Sequence, residues 1–265
     1  MRNKLTRELA VCGFNAAMAL GEFHPERINR LFLREDRFGQ FTGICKQLAA
    51  RKRPYKVCDD EELERVCKSN RHQGVVMMIE EPVVEKASPA DIDLWAAEGK
   101  TGLVLHSVGN DHNLGAIVRS AAFFDAAFIV ISAQDDGAQL TTSAYRVAEG
   151  GMEHVVFRKV EDTAAFVRAL SRPFMTIGAE PRARLRIRDL ETLIRERQAP
   201  PRLNPSARTA GRPGIALVLG NEETGLPREV RQACSVLMRI PGNGTIESLN
   251  VAQAATLFLH AIYEL

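Results

Sequence analysis

From Thr101 onward, short apolar runs of strand length alternate with segments of helical periodicity. Thr101 to His106 predicts a buried strand, Leu114 to Phe124 a helix, Phe128 to Ser132 and Val155 to Phe157 two strands, and Thr163 to Leu170 a helix. Phe174 to Ile177, Ile215 to Leu219 and Val236 to Ile240 add three strands, and a final helix runs from about Leu249 to Tyr263. Strands that are apolar throughout and separated by helices bury both faces, which a mainly parallel sheet with helices on each side achieves. The predicted fold class is therefore α/β.

The preceding residues predict a second, smaller α/β unit. Arg7 to Leu20, Arg37 to Ala50 and Asp60 to Lys68 suit helices, and Ile28 to Leu33 and Gly74 to Ile79 suit strands. Its end is marked by Glu80-Glu81-Pro82 and the polar Lys86-Ala87-Ser88-Pro89. The expected organisation is a small domain over residues 1–82, a linker over 83–99 and a larger domain over 100–265, which a chain of 265 residues accommodates. Within the larger domain, Pro181 to Pro213 holds nine arginines (182, 184, 186, 188, 195, 197, 202, 208 and 212) against Asp189, Glu191 and Glu196, with five prolines. This stretch predicts a mobile surface insertion with one short helix near Leu190 to Arg197. It is either a solvated loop or an arm whose guanidinium forks grip phosphates.

Charge and cysteine usage narrow the function classes. Thirty-five Lys and Arg against thirty-three Asp and Glu leave a net charge of +2, so any nucleic-acid surface must be local. Five cysteines, odd in number and without Cys-x-x-Cys spacing, indicate neither a disulfide framework nor a zinc site, and the six histidines form no ligand pair. No metal is expected. The longest uncharged run, Ser248 to Tyr263, contains Asn250, Gln253 and Thr256 and falls short of the roughly 20 apolar residues of a membrane span. Met1 to Leu20 is interrupted by Asn15 and lacks a clear cleavage site, so a cytoplasmic protein is expected.

Three segments can carry chemistry. Asp111-His112-Asn113-Leu114-Gly115-Ala116-Ile117-Val118-Arg119-Ser120 sits where a strand gives way to a helix, the place where open α/β sheets bind ligands. Asn113 is positioned to cap the helix or face a ligand, and Arg119, four residues after Gly115, leans over its bare backbone toward the strand ends. A capped helix with a surface arginine explains the same residues. In Leu219-Gly220-Asn221-Glu222-Glu223-Thr224-Gly225-Leu226-Pro227, a strand breaks into a glycine-bracketed loop before Pro227 opens a short helix. Glu222 either orients a partner there or is a solvated turn carboxylate. Ile240-Pro241-Gly242-Asn243-Gly244-Thr245-Ile246-Glu247-Ser248-Leu249-Asn250-Val251 is a polar loop in which Ser248 can cap the closing helix. Neither Gly-x-Gly-x-x-Gly after the first strand nor a P-loop occurs, which removes the main support for ordinary nucleotide-binding readings.

In this order, the three segments resemble the three motifs of the SpoU (TrmH) family of RNA ribose 2'-O-methyltransferases, in the SPOUT superfamily. The resemblance is carried by Asn-Leu-Gly-Ala-Ile-Val-Arg-Ser, Leu-Gly-Asn-Glu-Glu-Thr-Gly-Leu and Ile-Pro-Gly-Asn-Gly-Thr-Ile-Glu-Ser-Leu-Asn-Val, and covers about residues 101–265. Residues 8–80 are similar to the family's small RNA substrate-binding domain. The resemblance implies a parallel sheet with a trefoil knot and a homodimer. It also implies S-adenosyl-L-methionine bound at Leu219, Gly220, Ile240, Pro241 and Leu249, with Asn113, Arg119, Glu222, Ser248 and Asn250 around the reacting ribose. Arg119 would act on the 2'-hydroxyl either as base or as anchor and stabiliser of the forming alkoxide. Ribosomal RNA is the favoured substrate. Transfer RNA is the alternative, and a non-catalytic RNA-binding protein of the same fold is the alternative of a different class. His112, Asp125 and Val251-Ala252-Gln253 depart from the common motif, but at no residue given a chemical role.

Overall fold

The computed structural model describes residues 7–133, 139–198 and 214–265. In chain order the elements are β1 (Glu8–Cys12), α1 (Phe14–Phe23), β2 (Ile28–Leu33), α2 (Glu35–Ala50), β3 (Tyr55–Val57), α3 (Asp60–Cys67) and β4 (Val75–Glu80). They continue with β5 (Glu85–Lys86), α4 (Pro89–Ala97), β6 (Thr101–Leu105), α5 (Asp111–Phe123), β7 (Ala126–Ser132), α6 (Thr142–Ala148), β8 (Val156–Val160) and α7 (Thr163–Leu170). Last come β9 (Phe174–Ala179), β10 (Leu185–Arg186), α8 (Leu190–Gln198), β11 (Gly214–Leu219), α9 (Arg228–Ala233), β12 (Val236–Arg239) and α10 (Val251–Tyr263). The described chain groups into two units. The first comprises the residues through 83 with 111–119 and 139–154, and the second comprises the remainder.

The first unit is built on a four-stranded sheet of order β1-β4-β2-β3. β1 and β2 run antiparallel to β4, and β3 runs parallel to β2. Ala10, Cys12, Val76 and Met78 are buried with Leu63 and Cys67 of α3 on one face. Alternate residues Leu9, Val11, Met77 and Ile79 are buried on the other. The helix expected over Arg7 to Leu20 is instead β1 followed by α1, separated by Gly13 at φ 103. The four-residue apolar run Leu9 to Cys12 fits either period, and pairing from Glu8↔Glu80 to Cys12↔Val76 decides it. α6 and the turn after it pack on β1 and α1 in this unit. There Arg27 Nη1 donates to the Glu153 carboxylate at 2.7 Å and Nη2 donates to the Tyr145 hydroxyl at 2.8 Å.

The second unit holds an eight-stranded sheet of order β10-β12-β9-β11-β6-β7-β8-β5, and every pairing in it is parallel. Its core joins Val104, Phe128, Val130, Phe174, Ala216 and Val218 from the strands to Phe166, Val167, Leu170 and Val230 from the helices. Residues 83–99 differ from the expected linker. β5 pairs with β8, α4 starts in a capping box between Ser88 and Asp91, and Trp95 stacks on Phe128 at 3.9 Å between ring centroids. Ser88-Pro89 is thus a helix start rather than a loop signal. The described part of the arginine-rich stretch, residues 181–198, carries regular structure in place of the expected mobile insertion. β10 adds an edge strand with Leu185 opposite Met238, and Leu190 and Ile194 of α8 are buried, so its few apolar residues are spent on packing. Arg202, Arg208 and Arg212 lie outside the described residues.

Candidate active site

In a sheet whose strands are all parallel, every C-terminal strand end lies on one edge. β7 and β8 extend the sheet to one side of β6, whereas β9 and β12 lie on the other side with β11 inserted next to β6. Open α/β sheets bind ligands outside the C-terminal ends at such a reversal. Three loops leave the edge there: residues 106–110 after β6, 220–227 after β11 and 240–250 after β12.

The loop after β11 is held by Asn221. Its Oδ1 accepts from the Glu223 and Thr224 amides at 2.9 and 3.1 Å, and its Nδ2 donates to the Ser107 carbonyl at 2.8 Å. The loop closes so tightly that a Cβ on Gly220 would lie 2.3 Å from the carbonyl carbon of Gly225. Gly220 is required by the loop itself. Glu222 is exposed, and its carboxylate accepts from the Gly109 amide at 3.5 Å. Asn221 was absent from the candidates; its only signal was an amide directly after a buried strand, a position suited to Asx turns.

All residues from Pro241 to Asn250 are exposed, including the apolar Ile246 and Leu249. Among the described residues the backbone of 241–249 makes no hydrogen bond to other backbone. The expected cap of the closing helix is corrected here. Asn250, rather than Ser248, accepts from the Ala252 amide at 2.8 Å, and α10 begins at Val251. Helix geometry leaves the Ser248 hydroxyl two residues short of the cap position.

Asn113 and Arg119 lie on the part of α5 that groups with the first unit. α5 begins at Asp111, so Asn113 sits in its first turn and is not the cap. The bare face of Gly115 is occupied by α6: an added Cβ would lie 2.7 Å from both the Ala144 carbonyl oxygen and Val147 Cβ. Close helix packing, rather than room for Arg119, thus explains the glycine. Arg119 is exposed, and among the described residues no hydrogen bond or ion pair holds its guanidinium. The next residue, Ser120, lies 2.7 Å from Thr256 Oγ1 of α10 within the second unit. Among the described residues no group of three or more His, Cys, Asp or Glu side chains can hold a metal ion, and no helix is long and apolar enough to cross a membrane.

The family model described as SpoU rRNA Methylase matches residues 100–260, and that described as RNA 2'-O ribose methyltransferase substrate binding matches residues 10–83. The chain belongs to the SpoU rRNA methylase family. Among SpoU relatives, the 23S rRNA (guanosine-2'-O-)-methyltransferase RlmB of Yersinia pestis is 31% identical over 258 residues, covering 95% of each chain. RlmB of Nitrosomonas europaea is 29% identical over 256 residues, covering 96% of this chain and 91% of its own. The solved SpoU methyltransferase AviRb from Streptomyces viridochromogenes, in complex with AdoMet, shares the fold with a TM-score of 0.71 at 20% identity, covering 100% of this chain and 93% of its own.

Proposed function

We propose that this SpoU chain transfers a methyl group from S-adenosyl-L-methionine to a ribose 2'-hydroxyl of ribosomal RNA. The observation that carries the reading is the match along almost the whole length of the RlmB proteins, with substrate-binding and methylase segments both in place. The small domain is assigned to residues 1–82 and the methyltransferase domain to 100–265 together with β5 and α4, which join its sheet and core.

The loops after β11 and β12 suit the cofactor. Apart from the Thr245 amide, which donates to Asn243 Oδ1, the backbone of 241–249 offers donors and acceptors to the edge of an adenine, and the exposed Leu249 and Ile246 offer apolar surface for its faces. Leu219, Gly220, Ile240, Pro241 and Leu249 are the proposed holders. When bound, S-adenosylmethionine supplies an electrophilic methyl on a sulfonium. The chain must hold the ribose in line and favour loss of the hydroxyl proton. Arginine keeps its charge, with a reference pKa of roughly 12.5–13.8, so Arg119 is assigned to anchor the nucleotide and stabilise the alkoxide as it forms. Asn113, Glu222, Ser248 and Asn250 are assigned to position the ribose and Arg119.

The family's knot is assigned to the chain from β11 through α10. A homodimer is supported by apolar side chains left open in the second unit: Phe123 at 79%, Leu257 at 45% and Tyr263 at 57% exposure. The compartment is that of ribosome assembly, the cytoplasm.

Calorimetric titration with S-adenosylmethionine, followed by tritiated methyl transfer to separate ribosomal and transfer RNA pools, tests the proposal. Binding with label in ribosomal RNA is expected. Label confined to transfer RNA would move the substrate, and absence of cofactor binding at millimolar concentration would leave an RNA-binding protein without the reaction.

A further inference from the structure

Between Asp36 and Asp59 the chain carries Arg37, Lys46, Arg51, Lys52, Arg53 and Lys56 and no carboxylate, in a protein whose net charge is only +2. The structure makes this run a surface of the first unit. Gly39, Gly43, Lys46, Gln47 and Ala50 are all exposed and recur at i, i+4, i+7, i+8 and i+11, so they form one face of α2. The helix then runs into Arg51-Lys52-Arg53-Pro54-Tyr55-Lys56, also exposed throughout, which leads into β3 at the edge of the sheet.

Intramolecular duties account for only part of this. Lys56 Nζ donates to both Glu62 carboxylate oxygens at 2.7 Å, and Arg53 Nη1 donates to the Asn29 side chain at 3.1 Å. Among the described residues, no carboxylate pairs with Lys46, Arg51, Lys52 or Arg53. A cation complements the C-terminal end of a helix, and lysine protects an edge strand, yet neither effect calls for three consecutive cations. Lys52 moreover holds a left-handed backbone, φ 57, at a helix end where glycine or asparagine is the usual choice. Gly39 and Gly43 are equally unexplained from within. Nothing lies within 4 Å of a Cβ built on either, although glycine weakens a helix interior relative to alanine. A bare helix face flanked by cations suits close approach of a phosphate-bearing chain. Tyr55, 41% exposed and 6.3 Å from Phe38 between ring centroids, adds a stacking surface for an unpaired base.

We propose that the exposed face of α2 and the segment Arg51 to Lys56 form a docking surface for the sugar-phosphate backbone of the RNA substrate, in addition to the loops that hold the methylated nucleotide. The proposal rests on the RNA methyltransferase reading for the identity of the RNA. It concerns binding, so it is tested apart from methyl transfer.

The probe is deproteinised 23S ribosomal RNA, titrated by filter binding between about 50 and 200 mM salt. Arg51→Gln/Lys52→Gln/Arg53→Gln is expected to weaken binding about tenfold at the lower salt and to reduce the salt slope by about two to three, with S-adenosylmethionine affinity unchanged. Gly39→Leu/Gly43→Leu, which adds helix-favouring side chains to open space, is expected to keep or raise Tm and weaken RNA binding several-fold. Unchanged affinity and slope in both variants, with the wild type transferring methyl groups normally, overturns the docking surface and leaves the enzyme reading intact. A patch serving an acidic protein gives that same result. Weakened RNA binding in both variants of a protein that transfers no methyl group to any RNA overturns the enzyme reading and leaves the surface standing.

Discussion

Arg119 and Arg27 show two opposite uses of a guanidinium. Arg119 is exposed and held by nothing among the described residues, which leaves its guanidinium available for the substrate-anchoring role proposed for it. Arg119→Ala is expected to abolish methyl transfer while leaving S-adenosylmethionine affinity within a few fold; lost cofactor binding in calorimetry would show that the residue is misplaced. Arg27 is instead tied to Glu153, whose side chain is 1% exposed and whose Oε1 has no hydrogen-bond partner among the described residues. Burial pushes the Glu153 carboxyl above its ordinary range, and Arg27, His24 and His154 pull it back. A carboxyl raised in the folded state favours folding when protonated, so its contribution is present at low pH and lost as pH rises through the folded pKa. Arg27→Met removes the main restraint and is expected to cost about 3 kcal/mol near neutral pH. The deficit in Tm should shrink on acidification to about pH 5; a deficit independent of pH would mean that Glu153 stays ionised without its partner.

At the scale of elements, α5 and α6 meet at Gly115. Because the Ala144 carbonyl and Val147 occupy the space of a Cβ, Gly115→Val is expected to destabilise the protein by about 2–3 kcal/mol, measured by urea denaturation. A variant of unchanged midpoint would show that the two helices slide apart freely. Of the arginine-rich stretch, β10 and α8 are described, and residues 199–213 lie outside the described residues. Deleting residues 200–212 spares β10, whose Leu185 pairs with Met238, and the buried Leu190 and Ile194. That deletion is expected to flatten the salt dependence of RNA binding, since Arg202, Arg208 and Arg212 leave with it. An unchanged slope would return these arginines to the role of a solvated loop.

For the whole molecule, the charge balance sets the mode of RNA recognition. A net charge of +2 gives no global attraction to a polyanion, so affinity has to come from local surfaces added together. A dimer would double such surfaces. Replacing two of its open apolar residues, Phe123→Asp/Leu257→Asp, is expected to yield a monomer by sedimentation and to lower transfer activity at least tenfold. A monomeric wild type would remove the dimer from the proposal.

The sequence by itself determined the α/β class, most strand and helix positions of the larger domain, the three motif loops and the family they resemble. These are local properties: strand-length apolar runs, turn residues and motif spacing are written within a few tens of residues. What only the tertiary structure decided depends on distant partners. The run Leu9 to Cys12 becomes a strand because Val76 to Ile79 pairs with it, and the expected linker becomes part of the fold because Trp95 finds Phe128. Gly115 takes its meaning from α6 and Gly220 from Gly225. The amide that fixes the second motif loop, Asn221, binds the carbonyl of Ser107, 114 residues earlier in the chain. No periodicity encodes such a partner, because a hydrogen bond across the sheet edge is specified by strand order, and strand order follows from how the whole core packs.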